Sequence, residues 1–130
     1  TASAAILLPT NELARSTANR MNALGLRTDY MAGKDLNLQS PAAKAITIFS
    51  AKGLEFPIIA IPYVEEGFIP RSLADEHVDD LEKHLKQDLR LLYVGCTRSM
   101  RRLLITYRKD KVSRFMKDLD GYIWQLCEFR

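Results

Sequence analysis

"AITIFSAKGLEFPIIAIP" occupies Ala45–Pro62 and decides the fold. "AITIF" (Ala45–Phe49) and "PIIAIP" (Pro57–Pro62) are short apolar runs rich in β-branched residues, and both read as strands. Neither alternates apolar with polar. Continuous apolar strands are buried on both faces, as in parallel sheets covered by helices. The break between them carries Lys52, Gly53 and Glu55. A glycine there lets the backbone turn sharply or approach a phosphate. Glu55 is able to accept from a sugar hydroxyl, and Lys52 offers a positive charge. Taken alone, the stretch supports no more than a tight connection.

The pattern repeats outward. "AAILLP" (Ala4–Pro9) is another apolar run, stopped by a proline. In the helical stretch that follows, Leu13, Ala14, Ala18, Met21 and Leu24 fall near one face. Thr10 or Asn11 is placed to cap its start, and Gly25 to end it. "RTDYM" (Arg27–Met31) reads as a short strand and "AGKDLNLQSPAAK" as a loop. "YVEEGFIPRSLADEHVDD" reads as a long polar connection, with Gly67 and Pro70 against regular structure. Leu81, Leu85, Leu89 and Leu92 then recur at helical spacing, and "RLLITY" (Arg102–Tyr107) is the last strand. "VSRFMKDLDGYIWQLCEF" predicts one or two helices covering the sheet. Strands alternating with helices predict an α/β domain of three layers with a mainly parallel sheet.

The 130 residues make one domain, and 47% hydrophobic content suffices for a core. No apolar stretch nears the ~18 residues of a membrane span. "TASAAILLP" lacks the basic start of a secretion signal. Cys96 and Cys127 show no metal spacing and read as free thiols of a reducing, cytoplasmic compartment. His77 and His84 read as surface residues. The net charge of +3 hides a segregation. Acids crowd Glu65–Glu82, whereas Arg90, Arg98, Arg101, Arg102, Arg108, Lys109, Lys111 and Arg114 make the C-terminal half basic. A basic half suits a phosphate-rich partner, although on charge alone a solvated face is the better account.

"LRLLYVGCTRSM" is the second chemical stretch. Arg90 and Thr97 share a helical face, and Arg98 sits one step round. An arginine at a helix end beside a cleft makes a phosphate clamp, since its planar fork holds developing charge better than lysine. The sequence contains no G-x-x-x-x-G-K-[ST] loop, no acidic pair at a strand end and no Ser/His/Asp set. It carries half a site.

Taken in order, "TIFSAKGLEFPIIAIP", "EEGFIP" and "LRLLYVGCTRSMRRLLITY" resemble the C-terminal RecA-like domain of UvrD/Rep-like superfamily 1 helicases. The first block resembles helicase motif V and the last motif VI. "AAILLPTNELARSTANRMNALGL" resembles the strand and helix that open this domain. The resemblance implies that residues 1–130 are a C-terminal RecA-like domain within a longer chain. ATP with Mg2+ would bind between two such domains, with the phosphate loop and metal ligands on the N-terminal one. Glu55 would bond the ribose, Gly53 would approach the γ-phosphate, and Arg98 would act as a catalytic arginine finger. Thr47, Phe49 and Ser50 would line a single-stranded DNA track, one turn from the nucleotide contacts. Partners would be single-stranded DNA, ATP and the N-terminal domain, with no membrane.

The sequence departs from the family at several positions. Phe49 stands where the family usually has histidine, and an aromatic there could stack on a base. Of the paired acids and arginines opening motif VI, only Asp88 and Arg90 carry over. "GKDLNLQSPAAK" stands where larger members insert a domain. "KGLEFP" resembles the branch moving 3′ to 5′. Two other roles remain open: a helicase-nuclease subunit, and a helicase-like protein-binding module that docks through the acids of Glu65–Glu82.

Overall fold

The computed structural model describes residues 2–32, 37–117, 119 and 121–129. Five strands are present: β1 (Ala4–Leu8), β2 (Thr28–Tyr30), β3 (Ala43–Thr47), β4 (Phe56–Ile61) and β5 (Ser99–Ile105). They form one sheet in the order β2-β3-β1-β4-β5, with every pairing parallel. Two helices flank it, α1 (Asn11–Ala23) and α2 (Val78–Cys96).

The alternation of side chains along β1 sorts the core into two halves. Ile6 and Leu8 point to one face, where they meet Ala14 and Ala18 of α1 and Ala45 of β3. Ala5 and Leu7 point to the other face, where Ile46, Ile59 and Ile61 pack under Leu92 of α2. The domain is therefore a three-layer α/β structure, as the continuous apolar strands predicted. Leu7, Ile46, Ile59 and Ile61 are wholly buried, each contributing on the order of 2 kcal/mol. Small alanines on α1 let that helix lie close to the sheet.

Local chemistry sets the ends of α1. The Thr10 hydroxyl accepts from Leu13 N at 3.2 Å. At the other end Gly25 has φ +86°, and Leu24 is exposed there, so it does not share the buried face expected of it. Asn22 then ties α1 to β2 through both its amide atoms, to Thr28 O at 2.7 Å and from Thr28 N at 2.9 Å.

Further expectations fail. The strand read as Ala45–Phe49 is shifted, because β3 begins at Ala43 and ends at Thr47, and Phe49 lies in a 3-10 turn. The polar Lys44, read as loop, sits in that strand with its ammonium 2.8 Å from Asp29 of the adjacent strand. The predicted C-terminal helices are absent among the described residues. Residues 109–111 and 114–116 form 3-10 turns. Tyr122, Ile123, Leu126 and Phe129 beyond them are exposed. Finally, the connection after β4 is not simply solvated polar chain. Val64, Glu65, Ile69 and Pro70 are buried, and Glu65 accepts from Arg108 N at 2.8 Å. Part of the 32–44 loop, residues 33–36, lies outside the described residues. Among the described residues no helix is long and apolar enough to cross a membrane.

Candidate functional site

β3 and β4 run parallel with β1 between them. The chain leaving β3 at its carboxyl end must therefore cross one face of the sheet to enter β4 at its amino end. Residues 48–55 make that crossover. Its start is anchored: Ile48 is wholly buried and its N–H donates to Leu8 O at 2.9 Å. A single 3-10 turn, Phe49–Ala51, follows.

The candidate residues fall at the two ends of this crossover. At the carboxyl end, the Thr47 hydroxyl donates to Ser50 Oγ at 2.8 Å and accepts from Ser50 N at 3.1 Å. This closed pair braces the turn and throws Phe49 outward, 76% exposed. Phe49 is not a core residue. A cavity of about 290 Å³ opens at the same end of the sheet, between Pro9 and Thr10 at the start of α1, Phe68, and the Arg71–Asp88 pair.

At the amino end, Gly53 has φ +85° and open space where a Cβ would stand. Its requirement is conformational, since other residues rarely enter this region. Glu55 is exposed. Phe56 is the register partner of Ser99, so the residues just before them, Glu55 and Arg98, begin neighbouring strands. Phe56 N donates to Arg98 O at 2.9 Å, which locks the two backbones together. The Arg98 guanidinium rests on Val94 O at 3.2 Å, Thr97 Oγ1 at 3.2 Å and, at a longer 3.5 Å, Leu54 O. It sits against the carbonyl end of α2, where the helix dipole favours a cation. None of these acceptors is a carboxylate, so its charge stays available to an anion.

Ser50 and Gly53 are three residues apart, linked by successive turns, but the outer members of the two groups are not one turn apart. Thr47, at the start of the crossover, and Glu55 with Arg98, at its finish, lie at opposite ends of the sheet, separated by the length of a strand, roughly 17 Å. Spacing in sequence could not reveal this, because eight residues suffice to cross the sheet.

Two structural residues of the site, Gly95 and Arg71, escaped the sequence reading. Gly95 lies inside α2, and a Cβ there would stand 3.1 Å from Ile61 Cδ1 and 3.2 Å from Ile48 Cγ2. Its absence lets the last turn of α2, and hence Arg98, close onto the start of the crossover. A glycine inside an apolar helical pattern was the available signal. Asp88 is buried and takes Arg71 bidentately: Arg71 N and Nη2 each donate to it at 2.9 Å. The hydrogen bond that Arg71 donates to Asp88, opposed by partial burial, raises the Arg71 pKa above its ordinary value. Asp88 is therefore a brace between α2 and the "GFIPR" segment, whereas Arg90 is exposed. Glu66 pairs with Arg114 at 2.8 Å. With Glu65, it neutralises part of the basic C-terminal half. His84 is only half-buried, with Nδ1 3.2 Å from Glu76. The Cys96 thiol, pushed up to about 11 by burial, is no nucleophile. Among the described residues no three His, Cys, Asp or Glu side chains converge as a metal site.

A parallel five-stranded sheet with helices on both faces, and motif-bearing turns at each end of one crossover, defines a RecA-like domain. A family model described as the UvrD-like helicase C-terminal domain matches residues 4–110, and the chain belongs to that family. It is 40% identical over 70 residues to DNA helicase II of Escherichia coli, covering 54% of this chain and 9% of that protein. It is 33% identical over 109 residues to the ATP-dependent DNA helicase Rep of Salmonella typhimurium, covering 75% of this chain and 15% of that one. The chain thus spans a small part of the curated relatives it matches. A crystal structure of the C-terminal domain of a possible DNA helicase from Lactobacillus plantarum WCFS1 superposes with a TM-score of 0.65. It shares 17% identity, with 94% of this chain and 65% of that one covered, and supports the fold alone.

Proposed function

We propose that this chain is the second motor domain of an ATP-dependent DNA helicase or translocase. It contributes one wall of an interdomain ATP site and part of a single-stranded DNA track. The observation that carries this reading is the juxtaposition of Glu55 and Arg98 at the starts of neighbouring strands, beside the open turn at Gly53. An exposed carboxylate just before one strand and, just before its neighbour, a cation held only by neutral acceptors suit a ligand that presents hydroxyls and negative charge together, as a nucleotide does.

In this reading Glu55 accepts hydroxyls of the ribose and Gly53 admits the phosphates close to the backbone. Arg98 leaves its carbonyl cradle and meets the charge that develops on the transferring phosphoryl group. Magnesium, when bound, neutralises phosphate charge; its ligands belong to the other domain in this proposal, which none of the residues named here would supply. At the far end of the crossover, Phe49 offers a face for a base, and the Thr47–Ser50 pair holds the turn that presents it. The crossover joins the two ends. Its buried Ile48 packs against Gly95 of α2, so a displacement of Arg98 and the end of α2 is felt at the DNA end.

The test is steady-state ATP hydrolysis by the full-length protein with saturating single-stranded DNA. Arg98→Ala lowers turnover on the order of 10³-fold or more, with DNA affinity unchanged. Glu55→Ala raises the KM for ATP more than it slows turnover. Near-normal turnover by a folded Arg98→Ala protein overturns the assignment.

A further inference from the structure

We propose that the cavity at the carboxyl end of the sheet is a nucleobase site. One base of the single-stranded DNA enters it and stacks on Phe68, beside the base proposed for Phe49. This rests on the DNA reading above and adds to it a site that Thr47, Phe49 and Ser50 do not form.

The cavity, of about 290 Å³, is walled by Pro9, Thr10 and Leu13 where β1 turns into α1, by Phe68 and Ile69, and by Leu91 of α2. Register puts it next to Phe49. Leu8 pairs with Thr47, and Ile48 N still donates to Leu8 O. Pro9–Thr10 and Ile48–Phe49 therefore leave the sheet side by side, roughly 5 Å apart at their roots. Phe68 comes from the connection after β4, the strand on the other side of β1. The chain ends of β3, β1 and β4 thus form a row, and a nucleic-acid strand that passes Phe49 along this row meets the cavity mouth next.

The lining selects a ring over a phosphate. It is chiefly apolar, and the two charges at its edge, Arg71 and Asp88, neutralise each other at 2.9 Å. A volume close to the ~300 Å³ lower end of small-molecule sites holds one planar ring system. Two donors remain on the rim. The Thr10 hydroxyl accepts from Leu13 N, and its own hydrogen has no acceptor among the described residues. Arg71 engages Asp88 through N, Nε and Nη2, which leaves Nη1 without a partner among the described residues. Carbonyl oxygens on the edge of a base, such as those of thymine or guanine, accept from donors of this kind.

The stacking surface is built in advance. Phe68 is 37% exposed, and Tyr63 stands against its ring with centroids 5.1 Å apart and planes tilted by 41°. Tyr63 has φ +61°, and no other non-glycine among the described residues has a positive φ. A side chain with a Cβ is strained there, whereas glycine would not be. Strain of this sort persists where the surroundings impose it, and it gathers at ligand clamps. Here the strained residue supplies the ring that steadies Phe68, so less freedom is lost when a base arrives.

The experiment measures binding of the full-length protein to a thymidine oligonucleotide and to an abasic oligonucleotide of equal length. Phe68→Ala should weaken binding of the thymidine oligonucleotide about fivefold or more and leave the abasic one unchanged. Leu13→Phe, which fills the cavity and adds apolar volume instead of removing it, should do the same. Tyr63→Gly relieves the backbone but removes the ring behind Phe68, so it too should lower the thymidine affinity and spare the abasic one. Equal losses on both oligonucleotides overturn the proposal, because a base is then not what the cavity holds. Unchanged thymidine affinity of the folded Leu13→Phe protein also overturns it, while the DNA reading of Phe49 stands. If the unaltered protein binds neither oligonucleotide, the DNA reading fails and this site with it.

Discussion

The two ends of the 48–55 crossover are built on opposite terms. At the carboxyl end, Thr47 and Ser50 spend their polar atoms on each other, and the nearby Arg71 and Asp88 do the same. What remains exposed is an apolar ring, Phe49. At the amino end, Glu55 makes no hydrogen bond or ion pair among the described residues, and Arg98 leans on neutral acceptors. One end is a finished scaffold presenting a surface. The other end is charged and unfinished, and stays so until a ligand or another domain supplies opposite charge. A preformed scaffold tolerates little loss of internal contacts, whereas an unfinished site tolerates substitution structurally and fails only in function.

That contrast is most exposed to test at Arg98. Arg98→Lys in the full-length protein is expected to remain within about tenfold of the Arg98→Ala turnover, because an ammonium cannot reproduce the fork. Thermal stability should barely change. A large loss of stability would mean that the carbonyl cradle is structural and that the amino end is as finished as the other.

The next effect belongs to the scaffold. Asp88→Ala removes a buried acceptor of three Arg71 nitrogens. Its side chain is 10% exposed but that of Arg71 is 50% exposed, so water recovers part of the loss. Chemical denaturation should show about 2 kcal/mol of destabilisation. Asp88→Asn should recover some of this, because its carbonyl oxygen still accepts from Arg71 N.

Smaller effects separate the ends directly. Gly53→Ala places an alanine at φ +85°, costing about 1 kcal/mol or somewhat more; under the proposal it also raises the KM for ATP. Phe49→Ala should leave stability within about 0.5 kcal/mol, since the ring is exposed. It should weaken single-stranded DNA binding by about 1 kcal/mol. Titration at several salt concentrations checks this, because the phosphate contribution falls with salt and a stacking contribution does not. If Phe49→Ala shifts ATP affinity and spares DNA, the two ends have been assigned the wrong way round.

A control lies away from both ends. The hydrogen bond from Lys44, opposed by desolvation, holds the Asp29 carboxyl below its ordinary value. The unfolded chain, with Asp29 near about 3.9, binds that proton at higher pH than the folded one. Asp29 therefore contributes stability above about pH 4, and this is lost as pH falls through the lower folded value. Asp29→Asn should flatten that part of the acid unfolding profile and lower stability at neutral pH. ATP and DNA affinities of the folded protein should move little.

Much of this molecule could be read from its residues in order. The apolar runs at Ala4–Pro9 and Pro57–Pro62 have no polar alternation, which points to a parallel sheet covered by helices. Thr10 and Gly25 bracketed α1 through local chemistry that needs no partner. The motif-bearing residues stood out through the family resemblance of their blocks taken in order, since Gly53, Glu55 and Arg98 taken singly support no more than a turn and exposed charges. Tertiary structure decided the rest. Lys44 enters a strand because Asp29, fifteen residues earlier, arrives beside it. Among the described residues the predicted C-terminal helices do not form: Ile123, Leu126 and Phe129 are exposed, and a short helix without a face packed against the fold is marginal. Whether eight residues make a tight turn or cross a sheet depends on which strand lies between the strands they join. Pairing order is a long-range property, and it alone puts Phe49 and Arg98 at opposite ends of the domain.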